Sequence, residues 1–320
     1  MRDTFGWLLF RVIGNSLKFL ITQKGTNVPM MRTRAKQKHV ASDRARRENV
    51  PRHILFHYRR ELIRLKITYI HHSSFSVELE NAVILFDYFK GTLPEFPAGK
   101  PLFIFASHFH ADHYAPVIFQ LGEKRENVFY ILSKEIGKKI PEEYRKRYKD
   151  RIRLVKAGER FCLNISEESL IVETFHSTDE GVAFWLSCEG KEIYHAGDLN
   201  NWWWEGEDMA WNRNMAASYK QEMKKLSGRT ADLAFIPVDP RQEQWFYLGA
   251  AGFMEQADAK WIFPMHFWED YTIIPKLIEH PSSEGWRDRI VEIHKEGEEF
   301  IRCNLHLHTT ISMSSIWTSH

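Results

Sequence analysis

From Arg64 onward the chain carries a period-two pattern. Leu65, Ile67 and Tyr69 alternate with Lys66 and Thr68, and Phe75, Val77 and Leu79 alternate with Ser76 and Glu78. Such alternation predicts strands with one buried face. Asn81 marks a turn into Ala82-Val83-Ile84-Leu85-Phe86, an unbroken apolar run that stops at Asp87 and reads as a strand covered on both faces. A Pro/Gly-rich loop from Gly91 to Pro101 leads to a second such run, Leu102-Phe103-Ile104-Phe105-Ala106. Pro116 is placed to open a short helix reaching about Leu121. Val128 to Leu132 reads as a strand, and residues 133–150 as charged helix broken by Pro141. Four further short strands follow, Ile152 to Val155, Leu170 to Thr174, Val182 to Leu186 and Glu192 to Tyr194, with Gly158, Gly181 and Gly190 at turns. Trp211, Met215, Tyr219, Met223 and Leu226 share one helical face, read as a packing stripe. Leu233 to Val238 and Trp261 to Phe263 are the last strands, with a helix-like segment between them. Strands, then helices between strands, then strands again predict two sheets layered with helices, an α/β or α+β sandwich. One domain over residues 64–303, followed by a tail at 304–320, accommodates it.

Charge alters this picture only at the start of the chain. The formal net charge is +2, but residues 1–64 hold 15 Lys/Arg against 4 Asp/Glu, leaving 29 against 38 in the rest. Residues 1–63 therefore read as a basic extension to a mildly acidic body, and that body is a poor nucleic-acid surface. Within the extension, residues 29–53 read as a solvated, flexible arm. Residues 5–21 are apolar but interrupted by Arg11, Asn15 and Lys18, too short a run to span a bilayer. Contact with a membrane surface is the most this segment offers. Cys162, Cys188 and Cys303 are scattered without C-x-x-C spacing, which fits a reducing, cytoplasmic setting.

The chemistry concentrates in Ser107-His108-Phe109-His110-Ala111-Asp112-His113, which follows the second apolar run directly. Three imidazoles and a carboxylate on one loop are ligand types for zinc, manganese or iron. Other apolar strands also end at a potential ligand: His176, Asp198 after Tyr194-His195-Ala196-Gly197, and His266 after Phe263-Pro264-Met265. Asp198 has no Lys or Arg near it in sequence, so burying its charge needs cations from elsewhere.

The motif His108-x-His110-x-Asp112-His113, the Gly197-Asp198 pair and Met265-His266, in that order, resemble the metallo-β-lactamase fold superfamily. The openings Ile70-His71-His72-Ser73-Ser74-Phe75 and Ile84-Leu85-Phe86-Asp87 are most similar to its ascorbate-6-phosphate lactonase-like branch. The resemblance implies an αββα sandwich with a metal site at one edge of its paired sheets. It implies one ion held by His108, His110 and His176, a second by Asp112, His113 and His266, and Asp198 bridging them. One corner departs from the family pattern: His176 lies in Thr174-Phe175-His176-Ser177-Thr178-Asp179-Glu180-Gly181 rather than a short Gly-His-Thr-type loop, and Asp179 is the alternative there. Asp87 reads as an acceptor that orients a ligating imidazole.

Two divalent ions, zinc first and manganese or iron next, would acidify a shared water and supply hydroxide at neutral pH. The expected activity is hydrolysis of a small ester, lactone or phosphodiester, with Asp112 steadying the hydroxide and His72 as candidate acid. No Gly-x-Ser-x-Gly elbow is present. Trp203, in Asn200-Asn201-Trp202-Trp203-Trp204, and Arg241, after Val238-Asp239-Pro240, are expected pocket walls. The alternatives are a nuclease that tracks phosphates with its basic arm, and a non-catalytic metal-binding regulator.

Overall fold

The computed structural model describes residues 12–13, 16–17, 55–165 and 168–312, with side chains over 65–164 and 169–302. In the first unit, 1–54, β1 (Val12–Ile13) pairs antiparallel with β2 (Ser16–Leu17). The basic arm at 29–53, and all of 5–21 outside those strands, lie outside the described residues.

In the second unit, β3 (Leu55–His71), β4 (Ser74–Glu78), β5 (Val83–Phe86) and β6 (Leu102–Ala106) lie side by side in one sheet. Helix α1 (Ile118–Leu121) links β6 to β7 (Val128–Ser133), and α2 (Glu142–Arg147) links β7 to β8 (Ile152–Val155). Strands β5 to β8 run parallel. The break expected at Pro141 is where α2 begins, because proline's fixed φ and missing N–H suit a helix start. The second sheet holds β9 (Arg160–Ile165), β10 (Glu168–His176), β11 (Val182–Cys188) and β12 (Lys191–His195) as an antiparallel meander. It continues with β13 (Thr230–Pro237) and β14 (Asp258–Met265), parallel to β12. Helices α3 (Met209–Lys224), α4 (Leu248–Gln256) and α5 (Ile273–Glu279) join these strands or follow them. The final strand, β15 (Glu299–Ser312), returns to the first sheet against β3, in register from Glu299↔Thr68 to Ser312↔Leu55. The alternation in β9 and the whole of β15 are absent from the sequence-based expectation.

Two cores explain the doubly apolar runs. Ile84 and Phe86 of β5, with Phe103 and Phe105 of β6, face the space between the sheets; Val83, Leu85, Leu102 and Ile104 face α1 and its neighbours. Across the inter-sheet space, Phe75 meets Phe235 with ring centroids 4.7 Å apart, and Phe105 meets Phe184 at 5.1 Å. On the outside of the second sheet, Tyr219 and Met223 of α3 and Phe253 of α4 are buried, Phe253 stacking on Tyr194 at 4.9 Å. The fold is thus helix–sheet–sheet–helix, as expected. Among the described residues no helix is long and apolar enough to cross a membrane. Asp87, Ser107, Asp198, Asp239 and His266 all follow the carboxyl ends of β5, β6, β12, β13 and β14, the edge where parallel strands present ligand-binding loops.

Candidate metal centre

The loop after β6 is held by a buried carboxylate. Asp87 accepts from Ser107 N and Ser107 Oγ, each at 2.7 Å, and from His113 Nδ1 at 2.8 Å. A turn, with His113 N donating to His110 O at 3.0 Å, folds the loop so that the His113 ring lies 4.1 Å from that of His108. With Nδ1 committed to Asp87, His113 presents Nε2 to Asp198 Oδ1 at 3.2 Å. His266 repeats the arrangement. Its Nδ1 donates to Asp239 Oδ2 at 3.0 Å, and its Nε2 lies 3.4 Å from Asp198 Oδ1. Asp239 is held in turn by Arg241, whose Nε reaches both of its oxygens at 3.0 Å. His108 Nδ1 bonds Ser107 Oγ at 3.0 Å, which leaves Nε2 3.0 Å from His110 Nδ1 and 3.5 Å from Asp198 Oδ2.

The donors fall into two groups that meet at Asp198. One comprises His72, Asp112, His113 and His266; the other His108, His110, Asp179 and Asp198; within each, ligand atoms lie within 4.8 Å of one another. The chemistry of the set fits divalent ions. Among the described residues, His72 Nε2, His113 Nε2 and Asp198 Oδ1 are buried without a hydrogen-bond partner, a costly state that a bound cation relieves.

In the absence of an ion, protons on His113 and His266 balance the Asp198 charge, and metal binding must displace them. Burial works against ionised Asp198, but the His113 and His266 charges outweigh it and hold the carboxyl far below its usual range. Burial also works against charged His266, yet the Asp198 carboxylate 3.4 Å away and the hydrogen bond to Asp239 lift it to about 10. His113 is raised for the same reason, burial being overcome by Asp198 and Asp87. Burial drives His108 down to about 3 and His72 down to about 4, so both are neutral ligand-type imidazoles at pH 7.

Not every expected residue reaches the site. His176 ends β10 exposed, its ring bonded to the Ser177 carbonyl, and stands in neither group. The turn that follows closes with Ser177 N donating to Gly181 O at 3.3 Å, which leaves His176 at its base and carries Asp179 to within 3.8 Å of His110 Nδ1. His72, expected as an acid, is instead a neutral member of a donor group, Nε2 3.5 Å from Asp112 Oδ2; its neighbour His71 turns away to Glu296. Trp203 packs on Trp245 at 5.2 Å, away from the cleft. The flanking indoles line it, Trp202 and Trp204 stacking at 5.7 Å and 4°. Arg241 does line the cleft, its guanidinium 4.6 Å from the Trp268 ring. Trp211 and Met215 also face it, so the stripe on α3 is only in part a packing stripe. Two contributors went unread. Asp239 could have been found by analogy with Asp87, an acid closing an apolar strand; Trp268, at φ +50°, follows a sharp backbone turn with no sequence signal.

Comparison with known proteins places this geometry. Residues 66–266, more than half of the chain, match the β-lactamase superfamily domain. A UPF0173 metal-dependent hydrolase of Alkaliphilus metalliredigens (strain QYMF) is 24% identical over 252 residues, covering 72% of this chain and 96% of that protein. Among solved structures, a protein named as a metal-dependent hydrolase from Parabacteroides distasonis has a TM-score of 0.50 at 20% identity, covering 73% of this chain and 98% of that one. Igni18, a metallo hydrolase from Ignicoccus hospitalis, has a TM-score of 0.50 at 17% identity, covering 75% and 98%. With its paired sheets, its His/Asp donor groups at their edge and this match, the chain belongs to the β-lactamase superfamily of metallo-β-lactamase fold.

Proposed function

We propose that the chain is a binuclear metal-dependent hydrolase of a small ester, lactone or phosphodiester. The observation that carries this reading is the pair of donor groups meeting at Asp198, with three buried ligand atoms that have no hydrogen-bond partner among the described residues. The relatives named for metal-dependent hydrolysis support it, and the similarity of residues 70–75 and 84–87 to the lactonase-like branch favours a lactone among the substrates. When bound, zinc, manganese or iron supplies an acidified water and a positive field for a developing oxyanion. The chain does the rest. Asp87 and Asp239 fix the faces of His113 and His266, so the ligand atoms are in place before substrate arrives. Asp112 opens to the cleft; burial would raise its carboxyl, but the adjoining His72 ring, 3.5 Å away, and the His113 charge hold it well below the usual range. It is therefore ionised and able to orient a water by accepting its hydrogen bond.

The cleft, about 410 Å³, takes a small molecule. Its indole walls suit a flat or apolar group, and Arg241 offers one anion contact. Metal analysis of the purified protein, paired with lactone, carboxylic ester and phosphodiester substrates, tests the reading. At least one ion per chain as purified and two after addition of metal, and hydrolysis that a chelator abolishes and zinc or manganese restores, are expected. Less than one ion, with no hydrolysis restored by either metal, would falsify it.

A further inference from the structure

Resting on the binuclear reading, we propose that the two ion positions are unequal because Asp179, not a histidine, closes the first. That position becomes an exchangeable site favouring manganese or ferrous iron, while the position around His113 and His266 holds its ion tightly.

Three observations carry this. The first is composition. The first position offers two imidazoles, His108 and His110, and two carboxylates, Asp179 and Asp198, whereas the second gathers three imidazoles, His72, His113 and His266, and one carboxylate, Asp112. Oxygen donors favour harder ions, and added imidazole shifts preference towards zinc. The second is exposure. The side chains of His110 and Asp179 are 41% and 45% exposed, against 3%, 0% and 3% for His72, His113 and His266 and 27% for Asp112. Water can therefore compete more readily for the first ion than for the second. The third is the way Asp179 is delivered. Asp179 N donates to Ser177 Oγ at 3.1 Å, and Thr178 exchanges hydrogen bonds with the Asn200 backbone, its Oγ1 accepting from Asn200 N at 3.0 Å. Gly181 packs so closely on the His108 loop that a Cβ there would lie 2.0 Å from Ser107 O and 2.7 Å from His108 Cβ. The turn has one place to sit, and in that place Asp179, not His176, is beside His110.

The test is a titration of the metal-stripped full chain with manganese and, separately, zinc, followed by calorimetry and by metal analysis after gel filtration. Wild type should bind two ions in phases at least about tenfold apart, the weaker lost on gel filtration. Asp179→Asn should bind one ion, with the tight phase unchanged; that phase doubles as the check on folding. Asp179→His should strengthen the weak zinc phase about tenfold while leaving manganese behind. His176→Ala should leave both phases intact. Two ions of equal affinity in wild type overturn the proposal while leaving the hydrolase reading standing. So does an Asp179→Asn protein that keeps both wild-type phases, or a His176→Ala protein that loses the weak one. A wild-type chain that binds neither metal overturns both.

Discussion

Asp87 is fully buried and spends its carboxylate on three donors: the Ser107 amide, the Ser107 hydroxyl and His113 Nδ1. Burial alone would raise this acid, but the His113 hydrogen bond and the charges of His195 and His113 keep it below the ordinary carboxylate range. Its worth is geometric, since it fixes which nitrogen of His113 faces Asp198. Asp239 does the same for His266 from the second sheet and is steadied by Arg241. Removing such an orienting partner costs metal affinity about 10–100-fold in comparable sites. Asp239→Ala should therefore weaken the tightly held ion by that factor in an equilibrium competition with a chelator, with secondary structure by circular dichroism unchanged. Asp87→Ala should do this and also lower stability, because it strands a buried amide and a buried hydroxyl at about 1–3 kcal/mol each. If Asp239→Ala binds metal like wild type, the orienting role is wrong. Residue type at a strand end was the readable signal here: an acid or imidazole closing an apolar run marks Asp87, His108, Asp198 and His266. Parity was not readable. Which of Trp202, Trp203 and Trp204 faces the cleft depends on a backbone that is neither strand nor helix.

At the scale of elements, strands were legible wherever hydrophobic alternation or a doubly buried run set them, as in β4, β5, β6 and β11. Turns were not, because their shape follows from contacts with segments far away in sequence. The turn after β10 shows the cost. A ligand-type residue at a strand end, His176, attracts the reading, yet the turn closes on Gly181 and brings Asp179 instead. Gly181 is required there twice over, by φ of +73° and by its contact with Ser107 O. Gly158 shares a positive φ, +79°, but a Cβ there meets nothing within 4 Å. The pair separates strain from collision. Gly158→Ala should cost about 1–3 kcal/mol from backbone strain alone, roughly 2–4 °C in melting temperature per kcal/mol, with metal content unchanged. Gly181→Ala should melt lower still and lose the weaker ion, because the turn must move away from His108. Equal melting temperatures and equal metal content for the two variants would show that the turn is not held by that contact.

Across the whole molecule, the site makes metal-free stability a function of pH with a maximum near neutrality. His266 is raised from 6.5 to about 10, so the folded chain keeps a proton that the unfolded chain releases. That stabilisation is complete below pH 6.5 and disappears as pH rises towards 10. His72 and His108 have the opposite sign. Burial lowers them to about 4 and about 3, so below pH 6.5 the unfolded chain gains protons that the folded chain refuses, and stability falls with pH. Asp198 and Asp112, both lowered, contribute stability above their ordinary range near 3.8 that is lost as pH falls through their folded values. Thermal melts of chelator-treated protein from pH 4.5 to 9.5 should therefore peak near pH 6.5 and decline on both sides. Loading with zinc or manganese should flatten the alkaline side, since ligating imidazoles no longer exchange protons. Metal affinity should rise with pH over the same range, because His266 must surrender its proton to bind. A metal-free melting temperature that climbs steadily to pH 9.5 would mean that His266 is not charged beside Asp198, and the electrostatic account of the site would fail with it.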